Sequence, residues 1–541
     1  MNGIPSLAPL EDTPLADGIA RWAERNVNDL AALAKGTAQD SMSMADAIRI
    51  EARGRVESAA DGIARISGLQ EARMGELLLL EGGRTGYVAS LEEDHLVCVL
   101  LDAPREVRNG ETVRRSLRVI DVPVGDALLG RVLDPLGRPL DGGAPVQATA
   151  RLPVERPAPA ILDRGAVREP VHTGTLVVDA LFPLGRGQRE LIIGDRGTGK
   201  TAIAVDALLA QRDSEMICVY VAVGQSAESA AAVIDAVRRL GAHERTIFIV
   251  ASGSDSPGLQ WLAPFAGFSM AEHFRDNGRH ALVVVDDLTH HAATHRELAL
   301  LMHQPPGREA YPGDVFHLHA RLLERAAKLC NAKGGGSLTA LPIAQTEAGN
   351  LSAYIPTNLI SITDGQIVLD ERQFGLGQLP AISTGLSVSR VGGKTQAKVM
   401  RDAVASLRLD YAQFLELEAF TRFGTELDAG VRERIARGRL IRAALQQARL
   451  APQDADLQLA TVISVQGGVF DTLDPEQVGD AIERFRESLG SDTALAHLLQ
   501  QDAPAQSPGH AGLLERLKAL LPARATAPST TAATVQPAIH G

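Results

Sequence analysis

"ELIIGDRGTGKTAIAVDALL", Glu190 to Leu209, changes character twice within one short run. An apolar tetrad with Ile at its centre reads as a strand, a glycine-rich turn follows, and Ala and Leu at helical spacing close it. Gly194, Gly199, Lys200 and Thr201 stand in the order G-x-x-x-x-G-K-T between that strand and that helix. Phosphate chemistry needs this spacing. Glycines let backbone N–H groups converge on an anion, and the helix N-terminus adds positive potential. The lysine can reach terminal phosphates, and the threonine hydroxyl can ligate Mg²⁺. The expected nucleotide contacts are therefore Gly194, Asp195, Arg196, Gly197, Thr198, Gly199, Lys200 and Thr201.

Outward from this loop the texture is repetitive. "MICVYVAV", "RTIFIVA", "ALVVVDD" and "SLTALPIA" are short apolar runs separated by helical stretches. Near-continuous apolar strands alternating with helices predict a parallel sheet covered on both faces, here over 122–397. Upstream, over 51–121, runs such as "TGYVASL" and "HLVCVLL" are broken by Gly and acids, which predicts a small β-barrel. Downstream, 398–505 is rich in Leu, Ala, Glu and Arg at helical spacing and reads as a helical bundle. Residues 1–50 read as a polar helical segment, and 506–541 as a last helix followed by a disordered Ala/Pro/Thr tail. The fold class expected is multidomain α/β: barrel, phosphate-loop sheet, helical bundle.

A chain of 541 residues exceeds one compact core, and 45% hydrophobic with 22% charged residues is ordinary for a globular protein. A net charge of −12 argues against coating nucleic acid or anionic lipid as the main task. Cys98, Cys218 and Cys330 are widely spaced, which gives neither a disulfide framework nor a zinc site, and buried thiols in a reducing cytosol are expected. No run approaches the about 20 apolar residues needed to span a bilayer, and the N-terminus lacks the order of a secretory signal. Any membrane association is expected to come through partners.

Chemistry at the loop needs a metal-side carboxylate and a base. Asp286 closes "LVVVD" at the expected end of a neighbouring strand; a helix-capping role would suit Asp287 or Asp286 alone, but with a phosphate loop upstream Asp286 is expected to hold Mg²⁺. Water activation needs a carboxylate, usually at the end of the strand after the phosphate-loop helix. That strand ends in Gln225, which can bind water but cannot take its proton at neutral pH. Asp287 and Glu228 are the carboxylates left that could compensate. The simplest inference is a site that binds Mg-ATP and turns it over poorly or not at all.

Over about residues 51–500 the sequence resembles the alpha subunits of the F-type rotary ATP synthases. The resemblance rests on long segments: "DVPVGDALLGRVLDPLGRPLDG", "PLGRGQRELIIGDRGTGKTAIAVDALL", "LAPFAGFSMAEHFRDNGRHALVVVDDL", "PPGREAYPGDVFHLHARLLERAAKL", "GGGSLTALPIAQTEAGNLSAYIPTNLISITDGQIVL" and "LSVSRVGGKTQ". It implies three alpha and three beta subunits alternating around a rotor shaft, with a peripheral stalk. The membrane is engaged only through the ion-channel sector, on the cytoplasmic side of a bacterial inner membrane, and ATP synthesis or hydrolysis is coupled to ion flow. In that family beta carries the water-activating Glu and alpha carries Gln, as Gln225 here. The arginine of "VSRVG", Arg390 in this sequence, would be a finger reaching the beta-subunit nucleotide, and Ser387 matches a serine also needed for activity. From spacing alone Arg390 would be a surface arginine in an ordinary ion pair.

The departures are specific. Gly197 stands where the family usually has Gln, and the extra glycine is expected to loosen the loop and weaken nucleotide holding. "GQSAES" replaces a more basic or hydroxyl-rich segment. Gln447 matches one of two glutamines near the adenine, but Arg449 occupies the place of the other. Such departures open the reading of a second, divergent copy of the synthase. In "THHAATHREL", His291 and His295 have a metal-capable i, i+4 spacing but no third ligand, so a solvated or interface face is expected for this trio with His290. "FHLHARLLERAAK", with His317 and His319, reads as a strand-to-helix segment in packing contact. A self-sufficient hexameric RecA-like motor would call for Glu in place of Gln225, and a translocase for a basic or aromatic loop. An aromatic content of 4% and the acidic balance lend neither support. A nucleotide-dependent scaffold would require Arg390 to be dispensable.

Overall fold

The computed structural model describes residues 53–102, 106–421, 428–500 and 508–521. The expected N-terminal helical segment and the Ala/Pro/Thr tail lie outside them. The barrel closes on itself through six antiparallel strands: β1 (Arg53–Ala60), β2 (Ile63–Ser67), β3 (Glu76–Leu80), β4 (Thr85–Leu91), β5 (Leu96–Leu100) and β6 (Thr112–Val119). Their order around the wall is β1-β2-β5-β4-β3-β6. Val56, Ile66, Leu78, Val88 and Leu100 fill it. Gly86 is required where β4 crosses β5, because a Cβ there would come within 2.5 Å of the Cys98 sulfur. Cys98 and Cys218 are buried as expected, whereas Cys330 is half-buried.

The central sheet has nine strands. Its path runs Val388–Ser389, Gly365–Leu369, Leu191–Asp195, Ser337–Thr346, His280–Asp286, Ile217–Gln225, Thr246–Ser252 and Val132–Leu133. The pairings are parallel except where Val388–Ser389 joins its neighbour and where Ala327–Lys328 lies against Ser337–Thr346. All five apolar runs noted in the sequence are strands of this sheet. Because side chains alternate, one strand feeds two cores. Ile217, Val219 and Val221 face the helix Pro257–Asp276, while Cys218, Tyr220 and Ala222 face a core that includes Ile203, Ala204, Ala207 and Leu208 of the helix Lys200–Leu209. That second core continues into helices of the C-terminal bundle, including Lys398–Thr421, Ala429–Ala444 and Ala455–Gln466.

Two readings of the histidine segments need correction. "FHLHARLL" is a helix, Val315–Leu323, and the strand Ala327–Lys328 follows it, the reverse of the expected order. His319 is fully buried there, whereas His317 is exposed. His291 and His295 are also buried, not solvated. His291 Nε2 lies 2.9 Å from the Trp261 carbonyl and Nδ1 3.3 Å from His319 Nε2. Burial pushes the His291 imidazole down to about 3, so it is a neutral core group. His295 accepts from the Trp261 indole at 3.2 Å and meets Asp314 at 3.0 Å. Only His290 of the trio is exposed.

Candidate functional site

The loop lies where the sequence put it. The strand Leu191–Asp195 ends at Asp195 and the helix begins at Lys200. Gly197 and Gly199 take φ of +82° and +100°, which turn the backbone in the left-handed region. Glycine at 197 therefore has a conformational reason beyond the looseness expected from the sequence. No heavy atom lies within 4 Å of a Cβ built there, so alanine would add backbone strain and no clash. Gly197→Ala is expected to cost about 1–2 kcal/mol, read as a several-fold or greater loss of nucleotide affinity in a titration with fluorescent ATP. Unchanged affinity would show that the occupied loop takes another shape.

Each loop residue has a distinct situation. The Lys200 ammonium is buried and donates to the Gly194 and Asp195 carbonyls at 2.9 and 2.7 Å. Burial lowers its pKa, opposed by Asp287, Asp286 and Asp195. Thr198 Oγ1 donates to the Asp195 carbonyl at 2.8 Å. The Asp195 carboxylate accepts from Thr346 Oγ1 at 2.6 Å and from the Gly349 N–H at 2.9 Å, so its side chain is committed within the protein. Arg196 is exposed.

Asp286 is the hub of the metal side. It accepts from Thr201 Oγ1 at 2.7 Å, Tyr220 OH at 3.0 Å and Gln225 Nε2 at 3.2 Å. Contrary to expectation, its strand is not the immediate neighbour of the loop strand, because Ser337–Thr346 runs between them. Gln225 reaches it because the two strand ends are adjacent, with Ala222 opposite Asp286. Burial pushes the Asp286 carboxyl up to about 6 and the neighbouring Asp287 adds to this, against the Thr201 and Tyr220 hydrogen bonds and Lys200. Among the described residues no group of three or more His, Cys, Asp or Glu gathers to hold a metal. A carboxylate and a hydroxyl are hard oxygen donors and fit Mg²⁺, which takes few protein ligands and fills the rest with water and phosphate oxygen. Sequence reasoning misses Tyr220, although a hydroxyl in the middle of "ICVYVAV" is a recognisable oddity.

The alternatives for a base separate. Asp287 caps the helix Leu288–Leu301 through the His290 N–H at 2.7 Å and accepts from Gln345 Nε2 at 2.6 Å. It is buried with both oxygens engaged. Glu228 sits exposed in the first turn of the helix Ala227–Arg239. Gln447 lines the cleft beside the loop, but its amide serves the backbone: it accepts from the Leu176 N–H at 3.0 Å and donates to the Gly174 and Ala451 carbonyls at 2.7 and 2.9 Å. Arg449 is exposed at the edge of the same cleft.

Arg390 and Ser387 lie in the segment around the strand Val388–Ser389. Ser387 is buried; its hydroxyl accepts from the Val368 N–H at 2.9 Å and donates to the Ser383 carbonyl at 2.7 Å. Arg390 is exposed, and its guanidinium donates to the Thr363 and Ile360 carbonyls at 3.1 and 3.3 Å. Neither partner is a carboxylate, so these contacts are not the ordinary ion pair of a surface arginine.

Two family models match: the nucleotide-binding domain of the ATP synthase alpha/beta family over 174–389, and the C-terminal domain of ATP synthase alpha/beta proteins over 396–508. Among curated relatives, an ATP synthase subunit alpha 2 of Burkholderia thailandensis is 56% identical over 505 residues, 91% of this protein and 89% of the relative. A protein of the same name from Gluconobacter oxydans is 61% identical over 423 residues, 78% of this protein and 83% of the relative.

Proposed function

The protein belongs to the ATP synthase alpha/beta family as an alpha subunit, and from that premise we propose that it holds MgATP at a non-catalytic site of its own and lends Arg390 to the catalytic site of an adjacent beta subunit. Membership makes it a nucleotide-binding part of a larger complex. No helix among the described residues is long and apolar enough to cross a membrane, in keeping with a peripheral place in it. In the proposed assembly three such subunits alternate with three beta subunits around a central shaft, held by a peripheral stalk and coupled to transmembrane ion flow. The designation alpha 2 of the relatives is in keeping with a second, divergent copy of the synthase.

One observation carries the non-catalytic reading: the side chain that faces Asp286 from the end of the next strand is the amide of Gln225. Bound Mg²⁺ would neutralise phosphate charge, with Thr201 and Asp286 holding it. Lys200 and the loop N–H groups bind the phosphates. An amide can orient water but has no basicity to remove its proton. Asp287 does not substitute, because its oxygens are spent on the helix cap and Gln345.

The purified subunit alone is therefore expected to bind MgATP yet show negligible ATPase in a coupled assay, and turnover is expected only after mixing with a beta-like partner that carries Glu in place of Gln225. Robust turnover by the isolated subunit would overturn the reading in favour of a self-sufficient hexameric motor.

A further inference from the structure

Glu190, the residue just before the strand Leu191–Asp195, carries a carboxyl that packing alone does not account for. It is fully buried. Its Oε2 accepts from Gln188 Nε2 at 2.7 Å, and the same amide donates to Ser389 Oγ at 3.2 Å. Its Oε1 has no hydrogen-bond partner among the described residues. Buried polar atoms are rarely left unpaired, and a carboxylate so placed is costly unless a charge nearby favours it. A glutamine would fill the same space and keep the bond to Gln188, so neither shape nor that bond calls for an acid.

The carboxyl lies against the segment that carries the proposed finger. A Cβ on Gly365 would come within 2.6 and 2.7 Å of its two oxygens, and Gly365 pairs with Ser389, the residue before Arg390. The Arg390 N–H bonds to the carbonyl of Asp364, next to Gly365 in the chain, at 2.9 Å. Two charged groups act on Glu190: Asp364 disfavours its ionised form and Arg390 favours it. Asp364 is already matched by Arg189, whose guanidinium donates to both its oxygens at 3.0 and 2.9 Å. The strand Ser337–Thr346 meets Glu190 through backbone, the Ala340 carbonyl accepting its N–H at 3.0 Å. Arg390 is therefore the cation that gives this acid a purpose.

We propose that Glu190 is a positioning residue for Arg390: its buried carboxylate is a home counter-charge that draws the guanidinium back from the neighbour's nucleotide after each turnover. The proposal rests on the reading of Arg390 as the finger. The attraction exists only while the arginine is at home, so it loosens the hold on product without touching it. Burial raises the Glu190 pKa, and departure of the guanidinium removes the cation that opposes this, so leaving home favours uptake of a proton from solvent. Rising pH keeps the counter-charge and speeds release, whereas falling pH neutralises it.

The test uses the complex assembled with a beta-like partner. Glu190→Gln is expected to lower kcat and KM for MgATP together by about threefold or more, and to tighten MgADP at the catalytic site by a similar factor, with neither assembly nor melting temperature lowered. The native kcat is expected to climb away from that of the variant as pH rises. In an Arg390→Ala background, Glu190→Gln is expected to leave MgADP affinity within about twofold, since the cation it acts on is gone. Native kcat and KM in Glu190→Gln, a fall in kcat alone, or tighter MgADP in the Arg390→Ala background as well overturns the counter-charge and leaves the finger in place. Should Glu190→Gln fail to assemble, pH decides: MgADP is expected to bind the native complex more weakly as pH rises and Arg390→Ala to flatten that dependence, and equal slopes overturn the proposal. Native turnover in Arg390→Ala sinks the finger reading itself.

Discussion

Arg390→Ala in the assembled complex is expected to lower ATP turnover by about a thousandfold or more, with subunit assembly unchanged. Phosphoryl transfer spreads negative charge over the equatorial oxygens, and a planar guanidinium can donate to two of them while staying charged. Everything around Arg390 fixes where that guanidinium starts. Its N–H is bonded to the Asp364 carbonyl at 2.9 Å, Gly365 pairs with Ser389, and the buried Ser387 hydroxyl pins the preceding segment to Val368. The side chain itself is held lightly. It rests on carbonyls at the C-terminal end of the helix Tyr354–Ile362, a natural parking place for a cation, through contacts of 3.1 and 3.3 Å in partly or fully exposed surroundings. Moving to a neighbour's γ-phosphate would give up these two contacts and the attraction of the Glu190 carboxyl, and truncation to alanine at an exposed position leaves the core intact. Arg390→Lys, with the charge but without the fork, should recover only a small part of the rate. Steady-state ATPase of the reconstituted complex, with size-exclusion profiles of each variant, decides it: turnover within about tenfold of native would mean the arginine is not the finger.

What can be read from the residues alone has a physical boundary. The phosphate loop is legible because one contiguous motif must supply the turn, the cation and the hydroxyl, and the sheet is legible because strands covered on both faces are written as apolar runs such as Val283–Val285. Asp286 and Asp287 show where legibility stops. They are chemically identical neighbours, and only the direction of each side chain assigns one to Thr201 and Gln225 and the other to a helix cap. The histidines mislead because polarity suggests exposure. His291 is neutral in the core, partnered by Trp261 and His319, which are distant in sequence. Likeness to a family finds Gln447, but no local pattern reveals that its amide also bonds the Gly174 and Ala451 carbonyls.

Lys200→Ala should produce the mirror image of the arginine variant: a resident site that no longer holds nucleotide beside a working catalytic one. The lysine ties the loop to itself with two hydrogen bonds to Gly194 and Asp195, and it is a buried cation whose charged form burial disfavours. An ammonium so poorly solvated gains much from a phosphate oxygen, and removing it should weaken MgATP at this subunit's own site on the order of a hundredfold, the worth of strong charge-assisted contacts. The helix Lys200–Leu209 should stay folded, since its buried Ile203, Ala204, Ala207 and Leu208 are untouched. Turnover by the complex should stay within a few-fold of native, because the proposed finger, Arg390, sits on a separate segment anchored to Asp364 and, through Ser387, to Val368. Fluorescent-ATP titration of the isolated subunit, run beside ATPase of the complex, reads both effects. If Lys200→Ala silences turnover as completely as Arg390→Ala, holding a nucleotide and serving the neighbour are one function in this subunit, and the division of labour between the two sites fails.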